Sequence, residues 1–158
     1  MTILCCNVLK KLQGKTLVTA ESCTGGWFGK ELTSIPGSSE VYKGGIICYT
    51  NFVKEQILGV EPDTLSKYGA VSKETAGEMA KGVRRILDAD ISVSVTGLAG
   101  PGGDDFGNKV GTVFIGCETE NALTVREFQF NGDRDSVRRQ AVCAALELVL
   151  DMQKEPTD

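Results

Sequence analysis

Two residues stand in settings suited to chemistry, Ser22 and Lys54. Ser22 lies in Ala20-Glu21-Ser22-Cys23-Thr24-Gly25-Gly26, where a short β-rich run, Thr16 to Ala20, gives way to a helical pattern. The glycines let a ligand approach the backbone, and a helix N-terminus offers unpaired N–H groups to an anion. A serine at such a junction could attack a carbonyl with oxyanion donors beside it. The plainer alternative is a tight turn whose Ser and Thr cap the helix. Lys54 closes Tyr49-Thr50-Asn51-Phe52-Val53-Lys54, a second strand-to-helix junction. An unperturbed lysine is neutral only about one part in a few thousand at pH 7. A helix start disfavours a cation, and burial acts in the same direction, so both would push Lys54 toward the neutral amine a general base requires. Its alternative is an ordinary solvated lysine.

The chain contains no histidine. Ser-His-Asp triads, Cys-His dyads and His-ligated zinc are therefore excluded, and any general base is Lys, Asp, Glu, Tyr or Cys. Two further segments invite a ligand. Thr96-Gly97-Leu98-Ala99-Gly100-Pro101-Gly102-Gly103 is a glycine-rich loop after a strand, matching neither the P-loop nor the dinucleotide fingerprint. Asp104 and Asp105 follow it as either weak metal ligands or solvated acids. Gly132-Asp133-Arg134-Asp135-Ser136-Val137-Arg138-Arg139 opens the last helix. Arg134 and Arg138 share a helix face, against the dipole, and an anionic ligand or salt bridges would each account for them.

These segments need a frame. The 158 residues carry 17 Lys+Arg and 21 Asp+Glu, net −4, with 41% hydrophobic residues. Such a balance suits one soluble domain over 1–158 and argues against a nucleic-acid partner. No stretch reaches the ~20 apolar residues of a membrane span. Residues 1–14 lack the order of a secretory signal, and a cytoplasmic location is expected. Six cysteines without CxxC spacing read as buried or semi-buried free thiols. Helical spacing is expected over 2–13, then a strand over 16–20 and a helix to about Ser34. A strand over 45–50 and a short helix over 52–58 follow. Ser72 caps a helix over 73–88, and a strand runs over 91–96. Strands over 110–118 and 123–130 form a hairpin, and a last helix covers 134–152 with Val137, Ala141, Ala144, Ala145 and Leu148 inward. Residues 154–158 read as a frayed tail. This is an α/β pattern with a mixed sheet and helices on both faces, with ligands beyond the carboxyl ends of the strands.

Taken in order, Ala20 to Gly26, Pro36-Gly37-Ser38-Ser39, Tyr49-Thr50-Asn51-x-x-Lys54, Gly69-Ala70-Val71-Ser72, Thr96-Gly97-x-Ala99-Gly100-Pro101, Val110-Gly111-Thr112-Val113 and Gly132-Asp133-Arg134-x-x-Val137-Arg138 form a specific set. The chain resembles the CinA carboxy-terminal domain family, the nicotinamide-nucleotide amidases, over about 5–150, and its length looks like that expected of the stand-alone form. The resemblance implies a single three-layer α/β/α domain with a mixed, mostly parallel sheet of about five strands and a C-terminal hairpin. It implies hydrolysis of nicotinamide mononucleotide to nicotinate mononucleotide and ammonia, without cofactor or metal, by a homo-oligomer. Ser22 corresponds to the nucleophile and Lys54 to the general base. Tyr49, Thr96 and Arg134 match positions that the family associates with the site.

Thr24, Gly25 and Gly26 are expected near the oxyanion, Asn51 and Gly97 along the substrate, and Arg134 with Arg138 at the 5′-phosphate. Departures from the family pattern are Gly102-Gly103-Asp104-Asp105, Lys109, Tyr68 and Phe52-Val53. Cys23 is a competing nucleophile. A non-catalytic module that binds nucleotide phosphate is the rival reading.

Overall fold

In the computed structural model, residues 1–154 are described. Five strands form one sheet in the order β2-β1-β3-β4-β5: β1 is Leu17–Glu21, β2 Tyr42–Ile47, β3 Ile91–Gly97, β4 Thr112–Glu118 and β5 Leu123–Gln129. β1 pairs in parallel with β2 and β3, whereas β3–β4 and β4–β5 are antiparallel. Four strands thus point one way and β4 alone runs against them. The sheet is mixed and mostly parallel in direction, with the expected terminal hairpin.

Helices cover both faces. On one lie α1 (Thr2–Lys11), α2 (Trp27–Thr33) and α6 (Arg134–Asp151). Cys5, Val8, Phe28, Leu32, Val142 and Leu146 from these helices meet Val93, Val95, Val113 and Ile115 from the sheet. α3 (Asn51–Gln56), α4 (Pro62–Tyr68) and α5 (Lys73–Ile86) belong to the other layer. There Val18 and Ala20 of β1 pack with Leu58, Leu65, Met79 and Val83. Each Val, Leu, Ile, Phe or Met among them contributes about 1.5–3 kcal/mol by leaving water.

The second face has a polar seam. Ser92 and Ser94 alternate with Ile91, Val93 and Val95, a pattern that ordinarily marks a solvated face, yet both serines are fully buried. Their hydroxyls donate to α5 carbonyls, Ser92 Oγ to Ala80 O at 2.7 Å and Ser94 Oγ to Ala76 O at 2.6 Å. Thr96 Oγ1 donates to Ala70 O at 2.7 Å, just ahead of the helix. A helix carbonyl has a second lone pair, so these bonds cost the helix none of its own. Close approach makes them possible: a Cβ on Gly116 would stand 2.6 Å from Ser94 Oγ and 2.9 Å from Ala76 O.

Caps end the helices as their residues suggest. Ser72 Oγ accepts from Thr75 N–H on α5, and Asp133 Oδ1 accepts from Ser136 N–H at 2.8 Å on α6. The five residues expected to face inward on α6 are all buried. Sequence reading leaves out α4, although Pro62 at its first turn and Asp63 behind it are start signals. It also starts β2 three residues late. The six cysteines are free: Cys5, Cys23, Cys48 and Cys117 are buried and Cys143 is half-buried, but Cys6 is exposed, against expectation. No helix among the described residues is long and apolar enough to cross a membrane. The expected frayed tail lies outside the described residues from 155 onward.

Candidate active site

Ser22 is the first residue past β1 and is pinned by the sheet on both sides. Its N–H donates to Val95 O at 2.9 Å, and Glu21 O accepts from Cys48 N–H at 2.9 Å. Alternation along the strand sends Glu21 to the α2 side and leaves Ser22 facing the α3 side. There Lys54 arrives from α3, whose N-cap is Thr50. Lys54 Nζ stands 2.9 Å from Ser22 Oγ and donates to Cys48 O at 2.7 Å. No carboxylate bonds the amine among the described residues, and the side chain is only 1% exposed.

Burial therefore pushes the Lys54 pKa below the ordinary lysine value. Cys48 and Cys23 oppose this only when ionised, and burial raises those thiols to about 11 and about 12. Both stay protonated at neutral pH, which also makes Cys23 a poor nucleophile. The expected dipole contribution does not apply in the form anticipated. α3 has six residues, and Lys54 sits as near its end as its start. Desolvation alone accounts for the shift.

The turn after Ser22 is held by a buried carboxylate that sequence reasoning passed over. Glu21, 2% exposed, accepts from the N–H groups of Gly26, Phe28 and Gly29, each at 3.0 Å. Gly25 N–H donates to Ser22 O at 3.1 Å. Two of the three expected oxyanion donors, Gly25 and Gly26, are thus already engaged. The N–H groups of Cys23 and Thr24 have no acceptor among the described residues. Gly26 has a left-handed backbone with φ 93°, and this lets the chain turn into α2.

A cavity of about 270 Å³ opens over Ser22 and Lys54. Of the residues expected at the site, Ser22, Lys54, Tyr49, Thr96, Gly97 and Arg134 line it, together with Cys23. Arg134 Nη2 donates to Tyr49 Oη at 3.0 Å and Nη1 to Gly100 O at 2.6 Å, at the open edge of the cavity. Ala70, Val71, Leu98, Ala99, Gly100 and Gly102 supply walls. The divergent loop is internally braced. Asp104 Oδ1 accepts from Phe106 and Asn108 N–H, and Asn108 Nδ2 donates to Asp104 Oδ2 and Val71 O. Asp104 is therefore occupied by its own loop.

Five expected residues lie elsewhere. Asn51 is exposed at the start of α3 and does not line the cavity. Thr24, Gly25, Gly26 and Arg138 line a separate shallow depression with Trp27 and Lys30. Thr24 Oγ1 is fully buried and is the one buried side-chain N or O atom without a hydrogen-bond partner among the described residues. Arg138 does not reach toward a phosphate at the cavity. Its Nε donates to Cys23 O and its Nη2 to Thr24 O, each at 3.0 Å. Backbone carbonyls are its main partners, rather than the expected anionic ligand, and of the expected salt bridges one is present, to Asp135 at 3.3 Å.

Comparison with known proteins agrees with this fold. The CinA C-terminal domain family matches residues 4–153. A CinA-like protein of Thermotoga neapolitana is 46% identical over 139 residues, covering 88% of this chain and 34% of that protein. The chain spans about a third of the length of the curated relatives it matches. A CinA superfamily protein from Enterobacter cloacae superimposes with TM-score 0.94 at 34% identity, over 97% of this chain and 92% of that one. The competence/damage inducible protein CihA from Agrobacterium tumefaciens gives 0.93 at 36% identity, over 97% and 95%. With a domain match over nearly its whole length and solved relatives of the same fold, the chain belongs to the CinA C-terminal domain family.

Proposed function

We propose that this domain is an amidohydrolase that converts nicotinamide mononucleotide to nicotinate mononucleotide and ammonia, as a step of pyridine-nucleotide salvage. The observation that carries the reading is a buried lysine amine 2.9 Å from a serine hydroxyl, with a carbonyl and no carboxylate as its other partner. A neutral amine has two N–H donors and one lone pair. With one N–H on Cys48 O, the lone pair is free to take the Ser22 proton.

The hydroxyl oxygen then attacks the carboxamide carbon, and the carbonyl electrons move onto oxygen. The unengaged N–H of Cys23, a residue that lines the cavity, is the donor for that charge. On collapse the C–N bond breaks, and protonated Lys54 returns its proton to the departing nitrogen as ammonia. Water, deprotonated by the same amine, attacks the Ser22 ester and releases the acid. Amide and water balance the reaction without a cofactor. Arg134 is the guanidinium for the 5′-phosphate, with three N–H groups left after its two bonds. Its bond to Tyr49 Oη orients that phenol at the cavity rim.

Ammonia release from nicotinamide mononucleotide by the purified protein tests the reading. Ser22→Ala and Lys54→Ala should each lower kcat by 10³-fold or more, with circular dichroism unchanged. Nucleotide binding without ammonia release would instead favour the non-catalytic phosphate-binding module. Unchanged turnover in either variant removes the mechanism.

A further inference from the structure

Arg138 is displaced from the role its spacing suggests, and its contacts define another. Nε and Nη2 donate to the carbonyls of Cys23 and Thr24, Nη1 reaches Asp135 Oδ1 at 3.3 Å, and Cζ lies 5.2 Å from the centre of the Trp27 ring. Its side chain is 26% exposed. The three peptide units after Ser22 are held unequally. The 22–23 unit is held through Ser22 O, which accepts from Gly25 N–H, and the 24–25 unit is held at both its oxygen and its nitrogen. The 23–24 unit is held only at Cys23 O, by Arg138, since the Thr24 N–H has no acceptor among the described residues.

A trans peptide is planar, with C=O and N–H pointing in opposite directions. Fixing the Cys23 carbonyl on the guanidinium therefore fixes the Thr24 N–H pointing away from it. The fork is suited to this because Nε and Nη2 lie in one rigid plane and grip two successive carbonyls at once. Trp27 and Asp135 keep that plane in place.

We propose that Arg138 is a positioning residue that orients the 23–24 peptide beside the Ser22 nucleophile, and is not a ligand of substrate phosphate. The inference rests on the reading of Ser22 as nucleophile, so its test begins with a probe independent of the natural amide. A fluorophosphonate forms a phosphorus–Oγ bond at an activated serine, expels fluoride and draws on the same oxyanion donor at the Cys23 turn. Wild-type protein should be labelled at Ser22, Arg138→Met about 10²-fold more slowly, and Arg138→Lys at an intermediate rate. Methylguanidinium added to Arg138→Ala should restore labelling several-fold, which a merely structural defect would not allow.

In steady-state turnover, kcat should fall while KM holds. The preference for nicotinamide mononucleotide over the riboside lacking phosphate should be unchanged. Equal labelling of Arg138→Met and wild type overturns the proposal. So does a loss confined to the phosphorylated substrate, which would make Arg138 a phosphate ligand. Should Arg138→Met fail to fold, Arg138→Lys carries the test, and full-rate labelling there refutes the two-carbonyl grip. Absence of labelling in the wild type removes the nucleophile reading itself, and the positioning role with it.

Discussion

Replacing Lys54 with Met removes a titrating amine from a site with 1% exposure while keeping most of the buried stem. At one pH the stability change mixes opposing effects. Cys48 O loses its partner, costing about 1–3 kcal/mol, while the penalty for burying an ammonium disappears. The pH dependence separates them. Folded Lys54 has its pKa lowered from 10.5 by burial. Between that lowered value and 10.5 the unfolded chain holds a proton that the folded chain lacks. Stability of the wild type must therefore rise with pH across this window, by at most about 1.4 kcal/mol per pH unit. Below the window the penalty is complete and constant; above it, absent.

Lys54→Met has no such slope, so the wild-type-minus-variant difference should climb through the window and level off near pH 10.5. The thiols of Cys23 and Cys48, raised from 9.0 to about 12 and about 11, act above pH 9 in both proteins and largely cancel. Urea unfolding followed by circular dichroism from pH 6 to 10.5, at half-unit steps, measures the difference. The wild-type rate of ammonia release should rise through the same window. A flat difference, with a rate limb at the ordinary lysine pKa, would mean that burial does not neutralise this amine, and the base assignment would fall.

Glu21→Gln keeps the size of the side chain but puts an NH2 group among the three N–H donors it accepts, and should destabilise by about 1–3 kcal/mol. An unchanged melting midpoint would show that the carboxylate does not hold the turn. Gly116→Ala drives a methyl against Ser94 Oγ and Ala76 O, and a loss of about 1–3 kcal/mol in denaturant melts is expected. Thr24→Val replaces an unpartnered buried hydroxyl with a methyl of the same shape, so stability should rise by about 1 kcal/mol with ammonia release retained. Loss of turnover there would give the hydroxyl a role.

Although the pairing of Ser22 with Lys54 rests on the family resemblance, the strands, the capped helices and the two junctions were legible because each depends on local patterns: alternation, a capping residue, a junction rich in glycine. Arg138 was not. Its partners are carbonyls 114 and 115 residues away, and no side-chain pattern announces a carbonyl. Glu21 was hidden for a related reason, since its partners are backbone N–H groups of the following helix. Gly25 and Gly26 suggested open donors, and only the folded turn reveals which N–H groups are already engaged. Ser92 and Ser94 were readable as strand residues, but their burial depends on how closely α5 approaches the sheet. The lowered affinity of Lys54 for a proton was anticipated, but its cause divided differently, because a six-residue helix has little dipole to offer.

The seam of hydroxyls between β3 and α5 has a mechanical consequence. Greasy surfaces can slide past one another with little change in energy, whereas a bond between a hydroxyl and one particular carbonyl exists at a single offset. Two such bonds along one strand key α5 to the sheet like a spline, and a third holds Ala70 just ahead of the helix, together resisting axial slip and roll. The last tooth, Thr96, is also a wall of the cavity over Ser22 and Lys54. Any force that shifted α5 along its axis would thus be felt at the wall of that cavity, and the alignment of that wall is as stiff as the layer beneath it.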